Sequence, residues 1–155
     1  MALAVLAALC VVLVAWVLSG AREWARRDQC ARNLSAIACA CFMYADVPAN
    51  EGRYPSKWSE MFRHYIMDGR VLTCPSRGSR PLAEDEVDSK ADYVLVPGLA
   101  TSSPAKWILM YDRYPHMGAV VNIVRVNRTV TETITVSELH RQLQEQGAGG
   151  VEDSR

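Results

Sequence analysis

The stretch Ala2–Leu18, ALAVLAALCVVLVAWVL, constrains this chain most: seventeen consecutive residues carry no charge. As a helix it would span roughly 26 Å, and about 30 Å with Ser19 to Ala21 added. That length matches the hydrocarbon core of a bilayer. Its ten Leu and Val residues each favour insertion by about 0.3–0.6 kcal/mol. A helix buried in a soluble core normally keeps a polar stripe, and this one has none. Residues 1–21 are therefore expected to form a membrane anchor or a signal segment. Ser19-Gly20-Ala21 would suit signal cleavage, but nothing basic precedes the apolar run, which favours a retained anchor.

No Pro or Gly interrupts residues 21–47, and Pro48 ends the run. Cys30, Leu34, Ile37, Cys41 and Tyr44 recur at intervals of four and three, the spacing of one helical face. The expectation is a single rod: anchor 1–21, then an amphipathic stalk 22–47. Its stripe, Leu34, Ile37, Cys41 and Tyr44, would pack on the rest of the chain. Arg22, Arg26, Arg27 and Arg32 lie just past the anchor, and the positive-inside rule would hold the C-terminal domain in the cytoplasm. Glu23–Arg27 and Asp28–Arg32 are also acid-before-base pairs at i,i+4, which suit a solvated helix surface whatever the topology.

Residues 48–146 read as a globular head. In SKWSEMFRHYIMDG, Trp58, Met61, Phe62, Tyr65 and Ile66 have helical spacing, with Ser56 as N-cap and Gly69 as the C′ residue. A short strand is expected in RVLTCPS, and the acidic segment LAEDEVDSKAD has no pattern. Strand signals occur at 92–98, 106–112, 119–127 and 129–136. Their short, Gly/Pro/Ser-rich separations predict an antiparallel meander. Thr135 and Glu138 fit a capping box for a last helix that turns Leu139 and Leu143 to the sheet, with Ile134 and Leu139 as its staple. The tail 147–155 is expected to be disordered. The fold class is α+β: a long N-terminal helix on a small antiparallel sheet with short flanking helices.

Lys+Arg and Asp+Glu number 17 each. A net-neutral chain has no field to steer a polyanion, so nucleic acid is not an expected partner. The five cysteines lack a CxxC pair and give no zinc-site spacing. His116 follows Tyr-Pro at a turn with no nucleophile or orienting partner in its local pattern. The polar groups of Tyr114–Val130 are read as incidental exposures of a hairpin, and His64 and His140 as solvent-facing. No catalytic residue, metal ligand or cofactor is expected.

The order of elements resembles the type IV pilin-like proteins, specifically the group related to the major pseudopilin of type II secretion. AREWARRDQCARNLSAIACACFMYA is similar to that group's Ala-Arg-Glu-x-Ala-Arg-Arg helix with its Cys and Asn-Leu. YPSKWSEMFRHYIMDGRVLTCPS is similar to its Tyr-Pro, short helix and Cys-Pro pattern. YVLVPGL, ILMYDRYPHMG and VNIVRVNRTVTETITVSELHRQL resemble its sheet and closing helix. The matching stretches cover roughly residues 21–145.

At the group's signature positions stand His116, Gly118 and Asn122, while Asn127-Arg128 replaces Asp-Gly. An Asn-Arg turn is the weaker, because Arg tolerates positive φ poorly. The front also departs from the group: no basic leader, Gly cleavage point or early glutamate is present, and Val5 and its neighbours are apolar. Either translation starts upstream of Met1, or this is a relative that keeps its anchor without polymerising.

The resemblance implies a non-catalytic structural subunit, or an accessory that does not polymerise, anchored in the cytoplasmic membrane with an extracytoplasmic head. Its partners would be the membrane, other pilin-like subunits or secretion-machine proteins, and copies of itself. Ala4 and Ala8 give the small-xxx-small spacing that suits helix pairing. A membrane-tethered enzyme is the remaining alternative. The resemblance also implies a Cys30–Cys74 disulfide, the alternative being two small buried hydrophobes. Because major pseudopilins hold calcium in a nearby loop, Glu84, Asp85, Glu86, Asp88 and Asp92 are the residues to consider for that ion. Their spacing is not that of an EF-hand.

Overall fold

One unbroken helix, α1, runs from Ala2 to Ala45. The computed structural model describes residues 2–116 and 118–147, and of residues 2–5, 7 and 8 the backbone alone. At 44 residues the rod is about 66 Å long. It passes through Gly20 without a break, because a lone glycine costs a helix only about 1 kcal/mol. The two halves differ in surroundings. Leu9, Val11, Val12, Leu13, Val14, Trp16, Val17 and Leu18 are all exposed. Cys30, Leu34, Ile37, Ala38 and Cys41 are fully buried.

Among the described residues no helix is long and apolar enough to cross a membrane. The front of the expected anchor, including Ala4, Val5 and Ala8, lies outside the described side chains, and the expected tail beyond Gly147 lies outside the described residues.

The sheet is a four-stranded antiparallel meander in the order β1–β2–β3–β4: Tyr93–Leu95, Ile108–Asp112, Val120–Arg125 and Thr131–Thr135. Register is set by Tyr93 opposite Asp112, Tyr111 opposite Ile123 and Asn122 opposite Thr133. The β2–β3 pairing shifts between Ile108 and Met110. Gln146 serves that irregular point: its Oε1 accepts from Ile108 N at 2.8 Å and its Nε2 donates to Ile108 O at 2.9 Å. All five β2 residues are buried.

Helix α1 lies across β2, β3 and β4. Thr131 Oγ1 donates to Ala31 O at 2.9 Å and is 2.8 Å from Ser35 Oγ, tying the edge strand to the rod. Helix α3, Val136–Glu145, buries Leu139 and Leu143. Thr135 Oγ1 accepts from Glu138 N at 3.2 Å, as an N-cap does. Glu138 does not complete the box; its carboxylate accepts from Arg141 and Gln142 instead.

The segment expected to be a helix between Ser56 and Gly69 is not one. A single 3₁₀ turn, Trp58–Glu60, is followed by a reversal at Arg63, whose φ is +68°. Arg63 N donates to Ile66 O at 2.8 Å, while Met61 O accepts from His64, Tyr65 and Ile66. The apolar spacing still reported burial, since Trp58, Met61, Phe62 and Ile66 enter the core. A compact loop buries them as well as a helix would. Gly69 is no helix end either: it opens the 3₁₀ turn Gly69–Leu72, where a strand was expected, and the Asp68 side chain accepts from Arg70 N there. The acidic segment forms a 3₁₀ turn, Glu84–Glu86, and a short helix α2, Val87–Lys90.

Candidate functional site: an Asp–His–Asn network beside a disulfide

Three elements converge where α1 crosses the sheet. From α1 come Glu23, Cys30 and Asn33; from the Cys-Pro turn, Thr73, Cys74 and Ser76; from the β2–β3 connection, Asp112, His116 and Asn122. Cys30 and Cys74 are joined as a disulfide, with Cα atoms 5.4 Å apart across a sequence separation of 44. The turn is held in place for that bond. Asp92, buried at the foot of β1, accepts from Cys74 N at 2.8 Å. Asn33 Nδ2 donates to Thr73 O at 3.1 Å and lies 3.3 Å from Tyr93 Oη. Burial pushes the Tyr93 phenol well above its ordinary range, so it remains a neutral hydrogen-bonding group.

The hairpin polar groups are not incidental exposures. His116 and Asn122 are buried, at 7% and 1% relative exposure. His116 Nε2 lies 2.9 Å from Asp112 Oδ2, and the same oxygen accepts from Asn122 N at 2.8 Å. Asn122 Oδ1 accepts from Thr133 Oγ1 at 2.9 Å. On the other side of the ring, His116 Nδ1 faces Glu23 Oε1 at 3.9 Å, and Ser76 Oγ donates to that same Glu23 oxygen at 3.1 Å. The second carboxylate oxygen of Asp112 is buried without a hydrogen-bond partner. The backbone sets this up: His116 N donates to Val120 O at 2.8 Å, and Gly118 and Ala119 adopt positive φ (+83° and +54°) to close the turn. Gly118 takes that conformation without steric cost.

Asn127 has a separate task. Its φ is +58°, its Oδ1 accepts from Tyr54 Oη at 2.8 Å, and its Nδ2 donates to Thr101 O at 2.8 Å. Arg128 is not among the residues with positive φ, so the Asn-Arg pair forms its turn with Asn alone bearing the left-handed conformation. In the packing stripe, Leu34, Ile37 and Cys41 are fully buried. Burial pushes the Cys41 thiol well above its ordinary value, as suits a small apolar filler. Tyr44 is half-buried, edge-on to Tyr65 and donating to Glu60 at 3.0 Å.

Of the acidic residues near 84–92, Asp85 is exposed, and the other four spend oxygens on internal partners. Glu84 pairs with Arg63 at 2.8 Å, Glu86 with Arg80 and Lys90, and Asp88 accepts from Ser59 N. Among the described residues the one His/Cys/Asp/Glu group close enough to share a metal is Cys30, Cys74 and His116. His64 and His140 are exposed.

Sequence reasoning missed Asp112, Glu23 and Asp92 as members of this network. One signal was available: Asp112 ends an otherwise apolar strand, and Asn122 interrupts the next. An antiparallel register that aligns Tyr111 with Ile123 makes the two neighbours. Comparison with protein-family models, curated proteins and solved structures returns no match.

Proposed function

We propose that this chain is a pseudopilin-like, membrane-anchored structural subunit. Its apolar front would sit in the cytoplasmic membrane and its head would contact other subunits or secretion-machine proteins outside. The observation carrying this reading is the division of α1. One continuous rod buries Leu34 and Ile37 against the sheet while leaving Leu9–Leu18 exposed as an unbroken apolar surface. Exposing eight large apolar side chains to water would cost on the order of 10 kcal/mol. Lipid, or the equivalent helices of neighbouring subunits, removes that cost. The disulfide that staples rod to head suits an extracytoplasmic compartment.

A structural role also fits the chemistry of the network. Asp112 Oδ2 meets both His116 Nε2 and Asn122 N, so its hydrogen bonds tie the β2–β3 turn to the strands that flank it. The decisive experiment is fractionation, then cross-linking through Cys10 and through a cysteine placed at Val14. Recovery in membranes with adducts larger than a dimer supports the assembling subunit. Membrane recovery as a monomer points to the non-polymerising accessory. A soluble chain overturns both.

A further inference from the structure

We propose that the reduced form of this chain binds a Zn²⁺ ion through Cys30, Cys74 and His116, in the place the disulfide occupies when the chain is oxidised. The three ligand atoms, all on buried residues, already lie within 4.8 Å of one another. Ligand atoms of a tetrahedral zinc, at bond lengths of roughly 2.0–2.3 Å, stand about 3.3–3.8 Å apart. The site therefore needs the S–S bond broken and the sulfurs parted to that spacing, with the imidazole closing by about 1.5 Å at most. The residues come from three different elements, so the geometry is fixed by the fold.

Two further observations point the same way. His116 Nε2 is taken by Asp112, which leaves Nδ1 as the ligating nitrogen. A histidine that donates its other ring N–H to a carboxylate is the usual arrangement of a metal-bound histidine. The unpartnered Oδ1 of Asp112 is a buried acceptor that neutral surroundings do not compensate, and the positive charge an ion places on the imidazole does so. Cys74 and His116 also line a cleft of about 330 Å³ with Glu23 and Ser76, which opens the site to solvent and reductant. Two thiolates and an imidazole select a thiophilic ion over calcium or magnesium.

The exchange balances. A dithiol reductant passes two electrons and two protons to the S–S bond and becomes a disulfide itself. The two new thiols then release two protons as their sulfurs bind Zn²⁺. Metal and disulfide exclude each other, so the same rod-to-head joint is stapled in either redox state.

The test uses the full chain in detergent with Cys10→Ser and Cys39→Ser, reduced with a phosphine and titrated anaerobically with Co²⁺ and then Zn²⁺. One Co²⁺ per chain should bind with a thiolate-to-cobalt charge-transfer band that Zn²⁺ abolishes, and the oxidised chain should show none. His116→Gln should weaken binding at least 100-fold, and Asp112→Asn about 10–100-fold with the band retained. A reduced chain that is folded by circular dichroism yet lacks the band overturns the proposal, as does an affinity unchanged in His116→Gln. Should reduction unfold the chain, Zn²⁺ must restore the folded spectrum; failure to do so is equally fatal.

Discussion

His116 Nε2 and Asp112 Oδ2 are 2.9 Å apart, and each side chain is only 2% exposed. A buried carboxylate in such a place depends on its partners, because desolvating a charge costs several kcal/mol unless hydrogen bonds replace water. Asp112 has two partners on one oxygen and none on the other. Removing the imidazole leaves the carboxylate with a single donor. His116→Ala should destabilise the head by about 2–4 kcal/mol. The double variant Asp112→Asn/His116→Ala should cost less than the sum of the two singles, as urea titration in a mutant cycle would register.

The Cys30–Cys74 bridge closes a loop of 44 residues in sequence separation. In the chain-entropy account such a closure is worth about 4 kcal/mol. Replacing both cysteines with Ser should lower the unfolding free energy by about 3–4 kcal/mol, compared by chemical denaturation without metal. Equal stability of the two chains would mean that the unfolded ensemble is not loosened by the cut.

Gly69 is chosen for closeness. A Cβ there would stand 2.1 Å from Leu82 O and 2.8 Å from Leu82 N, both backbone atoms that cannot swing aside. Gly69→Ala should cost about 3 kcal/mol or more as the two segments part. Gly78, where a Cβ meets nothing, is the control: Gly78→Ala should cost only the left-handed strain, about 1 kcal/mol.

Asn127 carries positive φ and two hydrogen bonds to distant segments. Asn127→Gly relieves the backbone and loses the bonds; Asn127→Ala loses the bonds and keeps the strain. The order of stability should be Asn, then Gly, then Ala, with about 1–3 kcal/mol between the extremes. Thermal melts of the three chains would rank them.

Glu86 and Glu138 are held well below the usual carboxylate range, each to about 2. For Glu86 the cause is chiefly the Arg80 hydrogen bond, then Lys90 and the Ala83 N–H; for Glu138 it is Arg141, then Gln142. A depressed folded value means stability that is present above the unfolded value near 4.5 and lost as pH falls toward 2. Glu86→Gln should flatten the acid side of the stability profile, and salt should shrink the difference because the partner cations Arg80 and Lys90 are exposed. An unchanged acid limb at low salt would refute the assignment.

Much of this organisation is local and was readable as pattern. The stripe Leu34, Ile37, Cys41 has helical period, the four strands alternate between turn residues, and Thr135 sits where an N-cap must. Segment 56–69 misled because apolar spacing encodes which side chains are buried. It does not encode whether their backbone stays helical once Arg63 turns the chain and Gly69 wedges against Leu82.

The sequence by itself determined the rod, its apolar front, the antiparallel meander and the last helix, since each arises from short-range periodicity, capping and turn chemistry. Only the tertiary structure decided that Glu23, Cys30, Cys74, Asp112, His116 and Asn122 share one site. These residues come from three separated segments, and their meeting depends on strand register and on where α1 crosses the sheet. Burial then turns an ordinary aspartate, histidine and asparagine into an interdependent network, because away from water each polar atom must find its partner in the protein.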